Sequence, residues 1–162
     1  MKWLSVVLIS LIASVAFSQT WKTISSKEVG LTFSVPTTPQ SSTRTDQGIQ
    51  TRMWKSENGD TNYVVSVSSI PGNPPANFGK EMSNGIKTGF LNSVNGKASS
   101  DKAATYAGVK GREIIFTAGN GAKGALWIID RGNRIYTLTV ANRKGNYQAA
   151  QKKFFNSLKL SK

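Results

Sequence analysis

Gly119-Asn120-Gly121-Ala122-Lys123-Gly124 spells G-x-G-x-x-G. That pattern cradles a pyrophosphate when it follows a strand and opens a helix, because the first helical amides then face the anion. Here it joins two strand-like runs, Glu113 to Thr117 and Ala125 to Asp130, with no helical periodicity after it. We read it as a hairpin tip. Ser99-Ser100-Asp101-Lys102 matches S-x-x-K, and Lys87-Thr88-Gly89 spells the K-T-G of penicillin-recognising serine enzymes. In those enzymes the Ser opens a helix and K-T-G lies on a later strand. In this chain K-T-G comes first and inside a helical stripe, so chance accounts for both.

Histidine and cysteine are both absent. Without imidazole or thiolate there is no His general base, no Cys nucleophile and no ordinary zinc or haem site. Paired carboxylates remain, since two acids flanking a sugar bond can serve as acid and base or nucleophile. The eight acidic residues do not cluster. Glu57 and Asp60 flank Asn58-Gly59, where a solvated turn is expected rather than the burial that raises a catalytic pKa. Glu113 follows Arg112 on a strand, so the two point to opposite faces, and Asp130 sits where a strand yields to its turn. No catalytic residue, metal ligand or cofactor is assigned. The expectation is a nonenzyme, with a carboxylate-dependent glycan hydrolase as the weakest alternative.

The basic residues make the sharper pattern. The chain has 21 Lys and Arg against 8 Asp and Glu, a formal charge of +13. Residues 102–162 hold 12 of the basic and 2 of the acidic side chains. Lys110, Arg112, Arg131, Arg134, Arg143, Lys144, Lys152 and Lys153 fall at strand ends, turns and a helix surface, where a fold can gather several on one rim. Four of them against an anionic membrane, at ~1 kcal/mol each, would give about 4 kcal/mol of salt-sensitive attraction. Anionic lipid or acidic polysaccharide are the partners such a field favours. Nucleic acid is disfavoured: Trp127, Tyr136 and Phe154 occupy core positions rather than interleaving with the charges as stacking platforms.

These side chains must be positioned by elements legible from periodicity. Leu31, Phe33 and Val35 alternate with Thr32 and Ser34 as a half-buried strand ended by Pro36. The stretch 38–43 that follows reads as a loop. Ile49 to Ser56 and Thr61 to Ser69 form strands joined across Asn58-Gly59, a dipeptide suited to a tight hairpin. Phe78, Met82, Ile86 and Phe90 then mark an amphipathic helix, extended by Leu91 and Val94 and stopped by Asn95-Gly96. Gly79, Gly85 and Gly89 weaken it by roughly 1 kcal/mol each, so it must depend on docking to a sheet. Strands follow at Val109 to Thr117, Ala125 to Asp130 and Arg134 to Ala141, with a turn at Gly132-Asn133. Tyr147, Ala150, Phe154 and Leu158 mark a second helix that runs nearly to the end. Hairpin connections with two helices predict an α+β class, a twisted antiparallel sheet flanked by helices on one face or both.

The start of the chain reads as an export signal at 1–18. Lys2 precedes an apolar run from Trp3 to Phe17, and the small residues Ala16 and Ser18 place cleavage before Gln19. A helix from Leu4 to Phe17 would reach only about 21 Å against a hydrocarbon core of roughly 30 Å, which favours a cleaved signal over an anchor. The remaining 19–162 reads as one domain, periplasmic or secreted, stabilised by packing without disulfides.

The order of elements resembles the PsbP-like family of small exported proteins, through Leu31-Thr-Phe-Ser-Val-Pro36 with Pro39, Tyr63-Val-Val-Ser-Val67, Gly111-Arg-Glu-Ile-Ile-Phe116, Arg134-Ile-Tyr-Thr-Leu-Thr-Val140 and Phe154-Phe-Asn-Ser-Leu-Lys-Leu160. The resemblance implies an antiparallel sheet sandwiched by helices and a noncatalytic accessory or binding role toward an envelope or extracellular protein. Metal contacts of photosynthetic members involve His, which this chain lacks, and no functional residue carries over.

Overall fold

The computed structural model describes residues 20–161; the export signal read at 1–18 lies outside them. Ten strands and two helices follow one another: β1 (Lys22–Ser26), β2 (Leu31–Val35), β3 (Gln40–Asp46), β4 (Ile49–Asn58), β5 (Thr61–Ser69), α1 (Phe78–Ser93), β6 (Lys97–Tyr106), β7 (Val109–Thr117), β8 (Lys123–Asp130), β9 (Arg134–Asn142), α2 (Gln148–Asn156) and β10 (Lys159–Leu160). Seven strands form one sheet in the order β3-β4-β5-β9-β8-β7-β6, and β1-β2-β10 form a second. Every pairing is antiparallel. The expected α+β class and its hairpins are present.

Side-chain alternation divides the core between the two faces of the large sheet. On one face Tyr63, Val65, Trp127, Ile129, Leu138 and Val140 meet Leu31, Phe33 and Val35 of β2 and Phe154, Phe155 and Leu158 from the α2 region. Phe154 and Phe155 are fully buried, and each stabilises the fold by about 2 kcal/mol through removal of apolar area from water. On the other face Ile114, Phe116, Leu126, Ile128 and Ile135 receive Phe78, Met82, Ile86, Phe90 and Leu91 of α1. The helices therefore cover opposite faces. Trp127, Tyr136 and Phe154 are all core residues, as their positions in the pattern suggest.

Four strands depart from expectation, the first being β1, which carries no apolar alternation and forms by pairing with β2 from Lys22↔Val35 to Ser26↔Leu31. The stretch 38–43, read as a loop, enters β3, whose seven residues are all exposed. Such an edge strand has no buried face and hence no apolar alternation; pairing with β4 from Gln40↔Lys55 to Asp46↔Ile49 creates it. Its turn carries a usable signal, because Gln47 and Gly48 both adopt positive φ, as tight hairpins require. β6 is the opposite edge, and Ala107 and Gly108 repeat that geometry at its turn into β7. At the carboxy end the second helix stops at Asn156, and Lys159 and Leu160 pair with β2 instead.

Candidate functional site

The G-x-G-x-x-G segment is the β7–β8 turn. Ala118 N–H donates to Ala122 O at 2.8 Å, Gly121 N–H to Ala118 O at 2.9 Å, and Asn120 Oδ1 accepts from Ala122 N–H at 3.1 Å. A strand follows, so no helix amides are offered to a phosphate. Ser99 lies on β6 with its hydroxyl donating to Ile115 O at 3.3 Å, while Lys87 of the K-T-G pairs with Asp101 at 2.6 Å. Neither arrangement presents a nucleophile with its base.

The candidate carboxylates take different settings, most of them engaged by a neighbouring donor. Asp60 pairs with Lys144 at 2.7 Å, and that hydrogen bond holds its carboxyl below the ordinary range. Asp130 Oδ1 accepts the Gly132 N–H at 2.9 Å, closing the β8–β9 turn. Glu57 is exposed at its hairpin. Arg112 and Glu113 do point to opposite faces. Arg112 grips Asp101 on the α1 side, whereas Glu113 is only 4% exposed beneath α2. There it accepts from the Tyr106 hydroxyl and, at 2.5 Å, from Gln151 Nε2, with Lys102 Nζ 3.8 Å away. Burial, reinforced by Glu113, pushes the Tyr106 phenol well above its usual pKa. Among the described residues no three metal-ligating side chains gather.

The eight basic residues take several settings. Arg112 and Lys144 are engaged in the ion pairs just given. Lys153 lies 4.5 Å over the Trp21 ring, and Lys110 and Lys152 are exposed. Arg131 and Arg134 are brought together in a cleft of about 420 Å³ with Asn133, Tyr136, Leu160 and Ser161; Arg134 Nη2 there donates to Glu28 O at 3.1 Å. Arg143 lies past the far end of the same strand, roughly 30 Å away at the rise of an extended chain.

Arg143 belongs to a cleft of about 660 Å³ at the carboxy end of α1. Its floor is Phe90 against Phe116, ring centroids 4.8 Å apart at 79°. Its polar walls are Asn62 of β5, Asn95 after α1, Asn120 of the β7–β8 turn and Thr139 of β9. The walls are held together by backbone bonds: Gly119 N–H donates to Val94 O at 3.0 Å and Gly96 N–H to Leu91 O at 2.8 Å. Asn95 takes φ +46, the left-handed conformation that ends α1 and that Asn tolerates better than most residues. Residue types alone did not single out these amides. The Asn95-Gly96 and Gly119-Asn120-Gly121 turns were legible, but not that they abut.

This cleft offers amide and hydroxyl groups and one guanidinium, and its walls hold none of the side chains that most often serve as general acid or base. No Asp, Glu, Lys or Tyr lines it, and the hydroxyl of Ser93 is spent on Phe90 O at 2.7 Å. Of four further clefts among the described residues, three have no carboxylate in their walls and one has only Asp46. A two-carboxylate glycosidase site is not found in any of the five. Among the described residues no helix is long and apolar enough to cross a membrane.

No protein-family model matches the sequence, and neither does any curated protein. Solved structures do match. One from Bacteroides thetaiotaomicron VPI-5482 has a TM-score of 0.47 at 14% identity, over 82% of this chain and 46% of that one. The solution structure of cyanobacterial PsbP (CyanoP) from Synechocystis sp. PCC 6803 has a TM-score of 0.62 at 11% identity, over 88% of this chain and 94% of that one. The chain thus has a PsbP-like α+β fold, in agreement with the strand-and-turn pattern of its sequence.

Proposed function

We propose that this chain is a noncatalytic exported accessory or binding domain that engages an envelope or extracellular component. The observation that carries the proposal is the 660 Å³ cleft, whose volume and lining of apolar floor and a few polar groups suit ligand binding, while its walls hold none of the side chains that most often serve as general acid or base. The likeness of fold to cyanobacterial PsbP agrees with this reading without specifying a role. Export rests on the residues 1–18. Two measurements test it together. Mass spectrometry of the native protein should find Gln19 as its first residue. The purified protein should turn over no glycan, ester or phosphoester, and reproducible turnover would overturn the noncatalytic assignment.

A second reading is an electrostatic adaptor for anionic membrane or polysaccharide. It is supported by the pairing of Arg131 with Arg134 in a cleft without carboxylates and by exposed Lys110 and Lys152. Binding to anionic vesicles should then weaken steeply as salt rises, since exposed charges are screened within about 10 Å at 0.1 M. Binding indifferent to salt would discard it.

A further inference from the structure

Arg143 is exposed, and its guanidinium makes no hydrogen bond or ion pair among the described residues. The carboxylate that feels its charge is Asp60, and Lys144 already neutralises that group at 2.7 Å. Around Arg143 the cleft walls are neutral and rich in donors. Asn62 and Asn95 have no side-chain hydrogen bond within the described structure. Asn120 uses its Oδ1 on Ala122 N–H, which leaves its NH₂ free to donate. Below them Phe90 and Phe116 form an apolar floor, of which Phe90 is partly exposed.

We infer that this cleft is a binding site for a small monoanionic organic acid, its carboxylate held by Arg143 and the asparagine amides and its apolar body laid on Phe90. The inference rests on the binding-domain reading and adds the class of ligand. One unpaired guanidinium matches one negative charge, and its planar fork suits the two oxygens of a carboxylate. Amide NH₂ groups satisfy the remaining lone pairs without adding charge. A doubly charged phosphate would stay half uncompensated here, and a cation would find no acid in the walls. The floor adds an apolar contribution that a bare anion cannot use.

The test is a titration of the ¹⁵N-labelled protein with 3-phenylpropanoate, its neutral amide 3-phenylpropanamide, and inorganic phosphate, followed by NMR. The expected result is shifts of the Asn62, Asn95 and Asn120 side-chain amides and the Gly119 backbone amide with the carboxylate, at least tenfold weaker binding of the amide, and none of phosphate at the same resonances. Arg143→Gln, at an exposed position that leaves the fold intact, should weaken the carboxylate about tenfold, the loss expected for one charge-assisted hydrogen bond. Asn62→Asp, which sets a negative charge in the wall, should abolish its binding. Equal binding of acid and amide, or an Arg143→Gln protein that binds as well as the parent, overturns the anion assignment and leaves the binding-domain reading standing. Absence of shifts from either organic probe up to roughly 10 mM, where even a few kcal/mol of binding would register, overturns the site. Turnover of a substrate elsewhere on the molecule would instead strike the noncatalytic reading.

Discussion

Arg112 holds Asp101 with two parallel bonds, Nε to Oδ1 at 2.6 Å and Nη2 to Oδ2 at 2.7 Å. The pair joins neighbouring strands β6 and β7, and it also ties them to α1, because Arg112 Nη1 donates to Asn84 Oδ1 and Lys87 Nζ reaches Asp101 Oδ2, both at 2.6 Å. A bidentate guanidinium with a second cation fixes edge strand and helix in one geometry, where a lone surface pair would contribute little.

The Arg112 hydrogen bond, followed by that from Lys87, drives the Asp101 carboxyl far below its ordinary value of 3.8. A depressed folded pKa stabilises the native state fully above the unfolded value and loses that contribution as pH falls below it. Urea unfolding of the parent should therefore show stability declining below about pH 4. In Asp101→Asn that decline should flatten, with a loss of about 1 kcal/mol at pH 7.

Glu113 lies beneath α2 with Tyr106 and Gln151 as its nearest donors. Tyr106→Phe removes one of them from a carboxylate that is 4% exposed, which should destabilise the fold by about 2 kcal/mol in urea.

Burial first, then Glu113, raises the Tyr106 phenol above its ordinary 10.0. Tyr63 and Tyr147 are raised as well, again chiefly by burial. For an acid whose folded pKa is raised, the native state must unfold, or bear an unfavourable charge, to release the proton. The stabilising contribution is thus whole below the unfolded value and is lost as pH climbs above about 10. Phenolate absorbance should show these three tyrosines ionising together with loss of structure, as read by circular dichroism. Their titration at the ordinary value in a folded chain would contradict this.

The three α1 glycines should respond differently to alanine. A methyl group at Gly79 would sit 1.8 Å from Asp130 Oδ2, so Asp130 must turn away and release the Gly132 N–H. Gly85 and Gly89 face open space. Gly85→Ala and Gly89→Ala should each raise stability by about 1 kcal/mol through helix propensity, whereas Gly79→Ala should gain nothing or lose about 1 kcal/mol. Thermal unfolding of the three variants separates these outcomes.

Gly124 closes the G-x-G-x-x-G segment for a reason unrelated to phosphate. A side chain there would meet Val140 O at 2.2 Å and Phe116 at 2.8 Å. Because backbone cannot give way as a flexible side chain can, Gly124→Ala should cost more than about 2 kcal/mol by urea unfolding.

The amino-acid sequence by itself excluded imidazole and thiol chemistry, and it set out the elements that bury an apolar face. β2 and β5 carry that burial as an alternation of period two and both helices as a period of 3.6, while β8, covered on both faces, carries it as a continuous apolar run. β3 and β6 carry no such pattern, because an edge strand such as Gln40–Asp46 is exposed throughout and owes its form to a neighbour's hydrogen bonds. The tertiary structure alone decided which polar groups meet. Asn62, Asn95, Asn120 and Arg143 come from four separate places in the chain, and only the strand order β5-β9-β8-β7, with α1 laid across it, brings them to one cleft. The same holds for Glu113: strand alternation set its face, but its burial followed from α2 packing over it. Periodicity is local and records burial one element at a time, whereas a site is a coincidence of registers between elements far apart in sequence.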